Sequence, residues 1–183
     1  TNKLEVKKFV KKNIQIKVLL FLVGLAHKKG KNNDYKEFNL INKKTLTYLL
    51  RAFDDENKIP QKIIFASTIS IYGERLNQKV YKEDLENIPF SPYAITKLEA
   101  EKFLNVNFYD RSWILRFAPV YSSNFKLNII RRTKIFDMYF KVGDGKSKLS
   151  LCNIDNIKEV VLSILTNQVP PGTYNISDKT EYN

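Results

Sequence analysis

Tyr93 and Lys97 stand four residues apart, downstream of a run that ends in Ala66-Ser67-Thr68. A phenol, an ammonium one helical turn further on and a hydroxyl from a neighbouring strand are the parts needed to take a proton from a substrate alcohol while a hydride leaves its carbon. The pair alone carries little weight in a chain with 10 Tyr and 31 Lys and Arg residues, where such a spacing recurs by chance. Its context carries more. Ser91-Pro92 supplies an N-cap hydroxyl and a proline suited to the first helical position. Ala94, Leu98, Glu99, Ala100, Glu101, Lys102 and Leu104 continue with good helix formers, so Tyr93 and Lys97 are predicted to leave one face of a helix.

The hydroxyl comes from Lys62-Ile63-Ile64-Phe65-Ala66-Ser67-Thr68. Its apolar, β-branched first half reads as a strand buried on both faces, and it breaks into small residues where ligands lie in open α/β sheets, beyond the carboxyl ends of strands. A turn cap and an interfacial aromatic would use the same residues. The combined spacing is what favours a site.

The elements that must position these groups alternate along the chain. Leu4, Val6, Phe9 and Val10 mark a short helix ending near Asn13, and Ile14 to Val23 reads as an apolar strand followed by a polar loop, Gly24 to Asn33. Phe38, Ile41, Leu46, Leu49, Leu50 and Phe53 recur at helical spacing and predict one long helix from Asp34. The strand to Thr68, a loop to Phe90, the Tyr93 helix and a strand from Ser112 to Phe117 follow. Strand, helix, strand, helix, strand predicts an α/β fold with a Rossmann-like, doubly wound parallel sheet. Beyond Pro119 the pattern changes to a helix near Leu127 to Met138, short strands at Tyr139 to Val142 and Lys148 to Cys152 around a Gly143-Asp144-Gly145 turn, a helix capped by Asp155, and a last strand Thr173 to Ile176. The division expected is a partial dinucleotide-binding domain over 1–121 and a small C-terminal substrate-binding lobe over 122–183.

Composition narrows the classes. With 183 residues, 43% of them hydrophobic, the chain can bury one substantial core. The single Cys152 excludes an internal disulfide and fits a reducing compartment such as the cytoplasm, and one Cys with one His, His27, makes no zinc site. No apolar run is long enough to span a bilayer. The net charge of +12 lies on scattered lysines without a nucleic-acid recognition motif, so a solvated basic surface that steers an anionic ligand is expected in place of a nucleic-acid partner.

Four ordered segments, Leu22-Val23-Gly24-Leu25-Ala26-His27, Phe65 to Gly73, Ser91-Pro92-Tyr93-Ala94-Ile95-Thr96-Lys97 and Leu115 to Tyr121, resemble signatures of the extended short-chain dehydrogenase/reductases, and among them the NAD-dependent epimerase/dehydratase branch that works on nucleotide sugars. The resemblance implies NAD as cofactor, a UDP-sugar as favoured substrate and a homodimer of the complete protein. It gives Tyr93 the role of catalytic base and acid, Lys97 that of lowering the phenol's pKa and holding the cofactor ribose, and Thr68 that of binding the reacting hydroxyl. Leu25, Ala26, Ala66, Ser67 and Pro119 would line the cofactor cleft with Tyr93 and Lys97. Asn42, or else Asn39, matches the family's helix asparagine, and Arg131 or Arg132 is the candidate for the substrate diphosphate.

Departures from the pattern set further expectations. The glycine-rich G-x-x-G-x-x-G turn that cradles a pyrophosphate is absent from these residues, so the chain reads as a shortened member that by itself binds NAD weakly. Dehydratases of the family carry Asp-Glu directly after the Thr, and here Ile69-Ser70 stands there, which disfavours elimination of water. A UDP-sugar 4-epimerase ranks first, a nucleotide-sugar reductase second, and a catalytically silent Rossmann module is the reading from a different class.

Overall fold

The computed structural model describes residues 2–12, 15–26, 34–73, 80–135, 138–139, 148–180 and 182, and the chain divides into two compact units. The first holds Thr1–Leu115 and Pro171–Tyr174, the second Arg116–Pro170 and Asn175–Asn183.

In the first unit, helix α1 (Lys3–Lys12) precedes strand β1 (Val18–Phe21). Helix α2 (Tyr35–Asn39) runs through a π-helical turn, Leu40–Lys44, into α3 (Thr45–Asp55). Strand β2 (Lys62–Thr68) is followed by a 3-10 turn over Ile69–Tyr72, then by α4 (Pro92–Asn107) and β3 (Ser112–Phe117). With β8 (Gly172–Ile176) the sheet has the order β1-β2-β3-β8, and β1 pairs parallel with β2 in the register Leu20 to Ile64. This is the expected parallel, Rossmann-like sheet with helices against it.

Burial explains the arrangement. Ile63 and Phe65 of β2 point to the same side as alternate strand residues, and both are fully buried against Leu46 and Leu50 of α3 and Ala100 and Leu104 of α4. Strand β2 buries its other side too, through Ile64, as a central parallel strand must. Helix α1 closes on α3 through Val10, Ala52 and Phe53. At the end of the 3-10 turn, Gly73 has φ +71°, and a Cβ there would lie 2.3 Å from the Ile88 carbonyl oxygen, so both backbone conformation and close approach require glycine.

The second unit contains β4 (Val120–Tyr121), α5 (Leu127–Thr133), β5 (Lys134–Ile135), β6 (Met138–Tyr139), β7 (Cys152–Asn153) and α6 (Ile154–Leu165). Strand β4 pairs parallel with β7, and β5 pairs antiparallel with β6. Asp178 ties this unit together, accepting from Asn153 N and Asn156 Nδ2 at 2.7 Å each and from the Tyr121 and Tyr182 hydroxyls at 2.9 Å each. Cys152 is buried, and burial, with the Asp178 charge behind it, pushes its thiol up to about 12, the state of an inert packing residue.

Several expected boundaries shift. The first strand is confined to Val18–Phe21, and the helix expected to reach Met138 stops at Thr133, where β5 begins. The expected strand Lys148 to Cys152 contributes a single bridge, Leu149 to Tyr182, before β7. The α6 cap is Asn153, whose side chain accepts from Asp155 N; Asp155 lies instead in the first turn, where its charge favours the positive helix end. His27, most of the loop to Asn33, the strand expected beyond Tyr139 and the Gly143-Asp144-Gly145 turn lie outside the described residues. No described helix is long and apolar enough to cross a membrane.

Candidate active site

Ser91 starts α4 as predicted. It has extended backbone, its Oγ accepts from Ala94 N at 3.2 Å, and Pro92 occupies the first helical position. The cap fixes the phase of the helix, and with it the row Tyr93, Lys97, Glu101 at intervals of four. Strand β2 presents its last three residues to that row. Thr68 is hydrogen-bonded to the Tyr93 phenol. Lys97 Nζ donates to the Ala66 carbonyl oxygen at 2.8 Å. Between these, Ser67 Oγ donates to Glu101 Oε1.

Thr68 has a second task. Its Oγ1 caps the 3-10 turn by accepting from Ser70 N at 3.2 Å, and it lies 3.1 Å from Ser70 Oγ. The strand end is thereby held rigidly, and Ser70, Thr68 and Tyr93 form a continuous row of hydroxyls. Burial pushes the Tyr93 phenol above its usual value, and the Thr68 hydrogen bond pulls it back in part. The Lys97 ammonium, whose expected role is to favour the phenolate, donates to Ala66.

Lys97 is almost fully buried, only 3% exposed, with its Nζ 4.7 Å from the centre of the Phe65 ring. Burial lowers it to about 8, and the charge of Glu101 opposes that fall. The backbone comes close on another side: a Cβ on Gly24 would lie 3.2 Å from Lys97 Nζ.

Gly24 and Leu25 are held there by Asn42. Its Oδ1 accepts from Leu25 N at 2.6 Å, while its Nδ2 donates to Leu25 O at 3.2 Å and to Thr96 Oγ1 at 3.1 Å. Thr96 Oγ1 in turn lies 2.7 Å from Pro92 O and 3.0 Å from Tyr93 O. Asn42, in the π-helical turn, thus staples the segment after β1 to the first turn of α4. Asn39, its alternative, donates instead to the exposed Tyr35 hydroxyl at 3.1 Å.

The first unit therefore brings together Leu25, Asn42, Ala66, Ser67, Thr68, Tyr93 and Lys97, with Ala26 exposed directly after Leu25. Pro119 and Arg131 belong to the second unit, Pro119 accepting from Cys152 N at 3.1 Å and Arg131 exposed on α5; the side chain of Arg132 lies outside the described residues. Sequence reasoning missed Glu101, Gly24 and Thr96. Glu101 alone had a visible signal, its place four residues beyond Lys97 on the same helical face.

Comparison with known proteins gives the family and agrees with the fold. The sequence model of the NAD dependent epimerase/dehydratase family matches residues 1–177. The uncharacterized UDP-glucose epimerase YtcB of Bacillus subtilis is 37% identical over 94 residues, 49% of this chain and 28% of that protein. UDP-glucuronic acid 4-epimerase from Bacillus cereus, solved in complex with NAD, superposes with a TM-score of 0.77 at 25% identity, over 99% of this chain and 59% of its own. RMD from Pseudomonas aeruginosa, complexed with NADPH, has the same fold at a TM-score of 0.78 and 16% identity, over 100% of this chain and 64% of its own. The chain thus spans under two thirds of the length of these relatives. With its parallel sheet, its Tyr93–Lys97 helix and a family match over nearly all its residues, the chain belongs to the NAD dependent epimerase/dehydratase family.

Proposed function

We propose that the complete protein is a nucleotide-sugar epimerase that inverts a sugar carbinol, with a neutral UDP-hexose as substrate. The observation that carries this reading is the three-residue strand end holding a phenol, an ammonium and a hydroxyl: Thr68 on Tyr93 and Ala66 on Lys97. The residues present fit the nicotinamide-ribose end of the family's NAD. Lys97 is a buried donor with more N–H groups than its bond to Ala66 uses, and Gly24 puts no side chain beside it. NAD, when bound, accepts the hydride of the carbinol and returns it.

The chain's own residues do the rest. Tyr93 takes the hydroxyl proton as hydride leaves and gives it back after the keto sugar has turned over. Thr68 fixes the phenol and offers its hydroxyl to the sugar oxygen, and Lys97, a cation at neutral pH, favours the phenolate.

A cavity of about 290 Å³, lined by Ile69, Ser70, Gly73, Tyr81, Phe90 and Ser91, begins at the Ser70 end of the hydroxyl row. Two aromatic rings and two small hydroxyls suit the mixed faces of a neutral hexose, and none of these residues carries the charge that a sugar carboxylate would need. The similarity to a UDP-glucose epimerase points the same way. Absence of the Asp-Glu pair after Thr68 argues against elimination of water. A UDP-hexose panel with NAD and the complete protein tests the reading. Formation of the 4-epimer with transient NADH is expected; net oxidation or reduction without an epimer, or no turnover of any sugar, would sink it.

A further inference from the structure

Three consecutive residues of β2 hold three α4 residues spaced by one turn, and two of the pairs belong to the reaction proposed above. The third pair, Ser67 with Glu101, has no part in it. Glu101 is fully buried, and a carboxylate is expensive to bury unless donors and a countercharge surround it. Both are present, the Ser67 hydroxyl on the strand and the Lys97 ammonium one turn earlier on the helix. Ser67 lies between Ala66, which accepts from Lys97, and Thr68, which holds Tyr93. Fixing Ser67 therefore fixes the phase of both neighbours against α4.

We infer that Glu101 is a positioning residue of the active site: its carboxylate anchors the strand end through Ser67 and keeps the buried Lys97 side chain charged, so that strand and helix present their reacting groups in one arrangement. Around Lys97 stand the Phe65 ring and the Ala66 carbonyl from β2 and Gly24 from the segment after β1, with the charge of Glu101 one turn further along α4. Among these described residues Glu101 is the source of negative charge. An alternative without function is that Glu101 and Ser67 merely fill the helix–strand interface. The role of the site itself rests on the function proposed above, but the anchoring does not.

The two are separated by Glu101→Gln, which keeps the size of the side chain and an oxygen to accept from Ser67 while removing the charge. The readout is the Lys97 side-chain NMR titration in the 183-residue chain, assigned by its loss in Lys97→Arg. Removal of this opposite charge should move the Lys97 midpoint down from about 8. An unchanged midpoint in a folded variant overturns the inference. Should Glu101→Gln fail to fold, the other half of the pair decides: Ser67→Ala removes the hydroxyl that Glu101 holds, amide exchange at Ala66 and Thr68 must then quicken relative to the rest of β2, and unchanged exchange overturns the inference equally. In the complete enzyme, Glu101→Gln is expected to lose about tenfold in kcat with little change in KM. A moved Lys97 titration alongside failure of the sugar panel would reject the proposed reaction and leave the anchor standing.

Discussion

A lysine that is only 3% exposed and titrates near 8 leaves a mark on folding that needs no substrate to detect. Its ordinary value is 10.5, so between about 8 and 10.5 the unfolded chain keeps a proton that the folded chain has released. Stability then rises with pH across that window, and below about 8 the full penalty of burying the cation applies, on the order of 3 kcal/mol. Tyr93 acts in the other direction at higher pH: its raised value means that the folded chain keeps a proton the unfolded chain loses above 10.0, and stability falls there. Denaturant unfolding at a series of pH values should show a rise from pH 8 toward 10 in the parent chain and no such rise in Lys97→Met. An equal rise in both would mean that Lys97 is solvated in the folded state. The gain of Lys97→Met at neutral pH should fall short of the full penalty, because Glu101 loses its countercharge. Tyr93, Lys97 and Thr68 were legible because a helix face and a strand end are local patterns. Of Glu101 only its place on the Lys97 face of the helix was legible, and Gly24 was not, because the meaning of both depends on which segments the fold packs together, and no spacing in the sequence records that Gly24 meets Lys97.

At the scale of elements, the π-helical turn at Leu40–Lys44 shows where periodicity runs out. The apolar positions Phe38, Ile41, Leu46, Leu49, Leu50 and Phe53 fit one continuous helix, and the wide turn that interrupts it shifts the phase without breaking the run. At that turn Asn42 is directed onto Leu25 and Thr96, three hydrogen bonds from one fully buried amide. Asn42→Ala strands the Leu25 amide and carbonyl and removes the donor to Thr96 Oγ1, so a loss of about 2–4 kcal/mol in unfolding free energy is expected. Amide hydrogen exchange should quicken at Leu25 before it quickens in β2. A loss below about 0.5 kcal/mol, the size of an ordinary surface change, would show that the staple does not hold the segment after β1. Ser91→Ala tests the other end of the same assembly. Losing this cap should lower stability by about 1 kcal/mol, and because the first turn carries Tyr93, kcat of the complete enzyme should fall further than the stability loss alone requires. An intact kcat in the folded variant would detach the cap from the placement of the phenol. The Ser91-Pro92 cap could be read from sequence because residue types specify it. The α6 cap could not be assigned to one residue, since Asn153 and Asp155 are both good caps and only backbone conformation distinguishes them.

For the molecule as a whole, the question is which part of a dinucleotide these 183 residues can hold. The pieces assembled around Lys97 are those proposed to serve one end of such a ligand. The other end carries a pyrophosphate, which is usually bound by backbone N–H groups at a glycine-rich turn opening a helix. None of the six glycines, at 24, 30, 73, 143, 145 and 172, has the G-x-x-G-x-x-G spacing, and the chain spans 59% of the B. cereus epimerase that was solved with NAD. The net charge of +12 cannot replace that turn: diffuse surface charge attracts anions at long range, yet it is screened within about 10 Å at 0.1 M salt and selects no geometry. Calorimetric titration of NAD into the 183-residue chain should therefore give weak binding that fades as salt is raised. A chain extended to the length of the solved relatives and carrying the glycine turn should bind far more tightly and lose little with salt. If the 183 residues alone bind NAD tightly at high salt, the pyrophosphate is held by groups in this chain other than a glycine turn, and the division of the cofactor site drawn here is wrong.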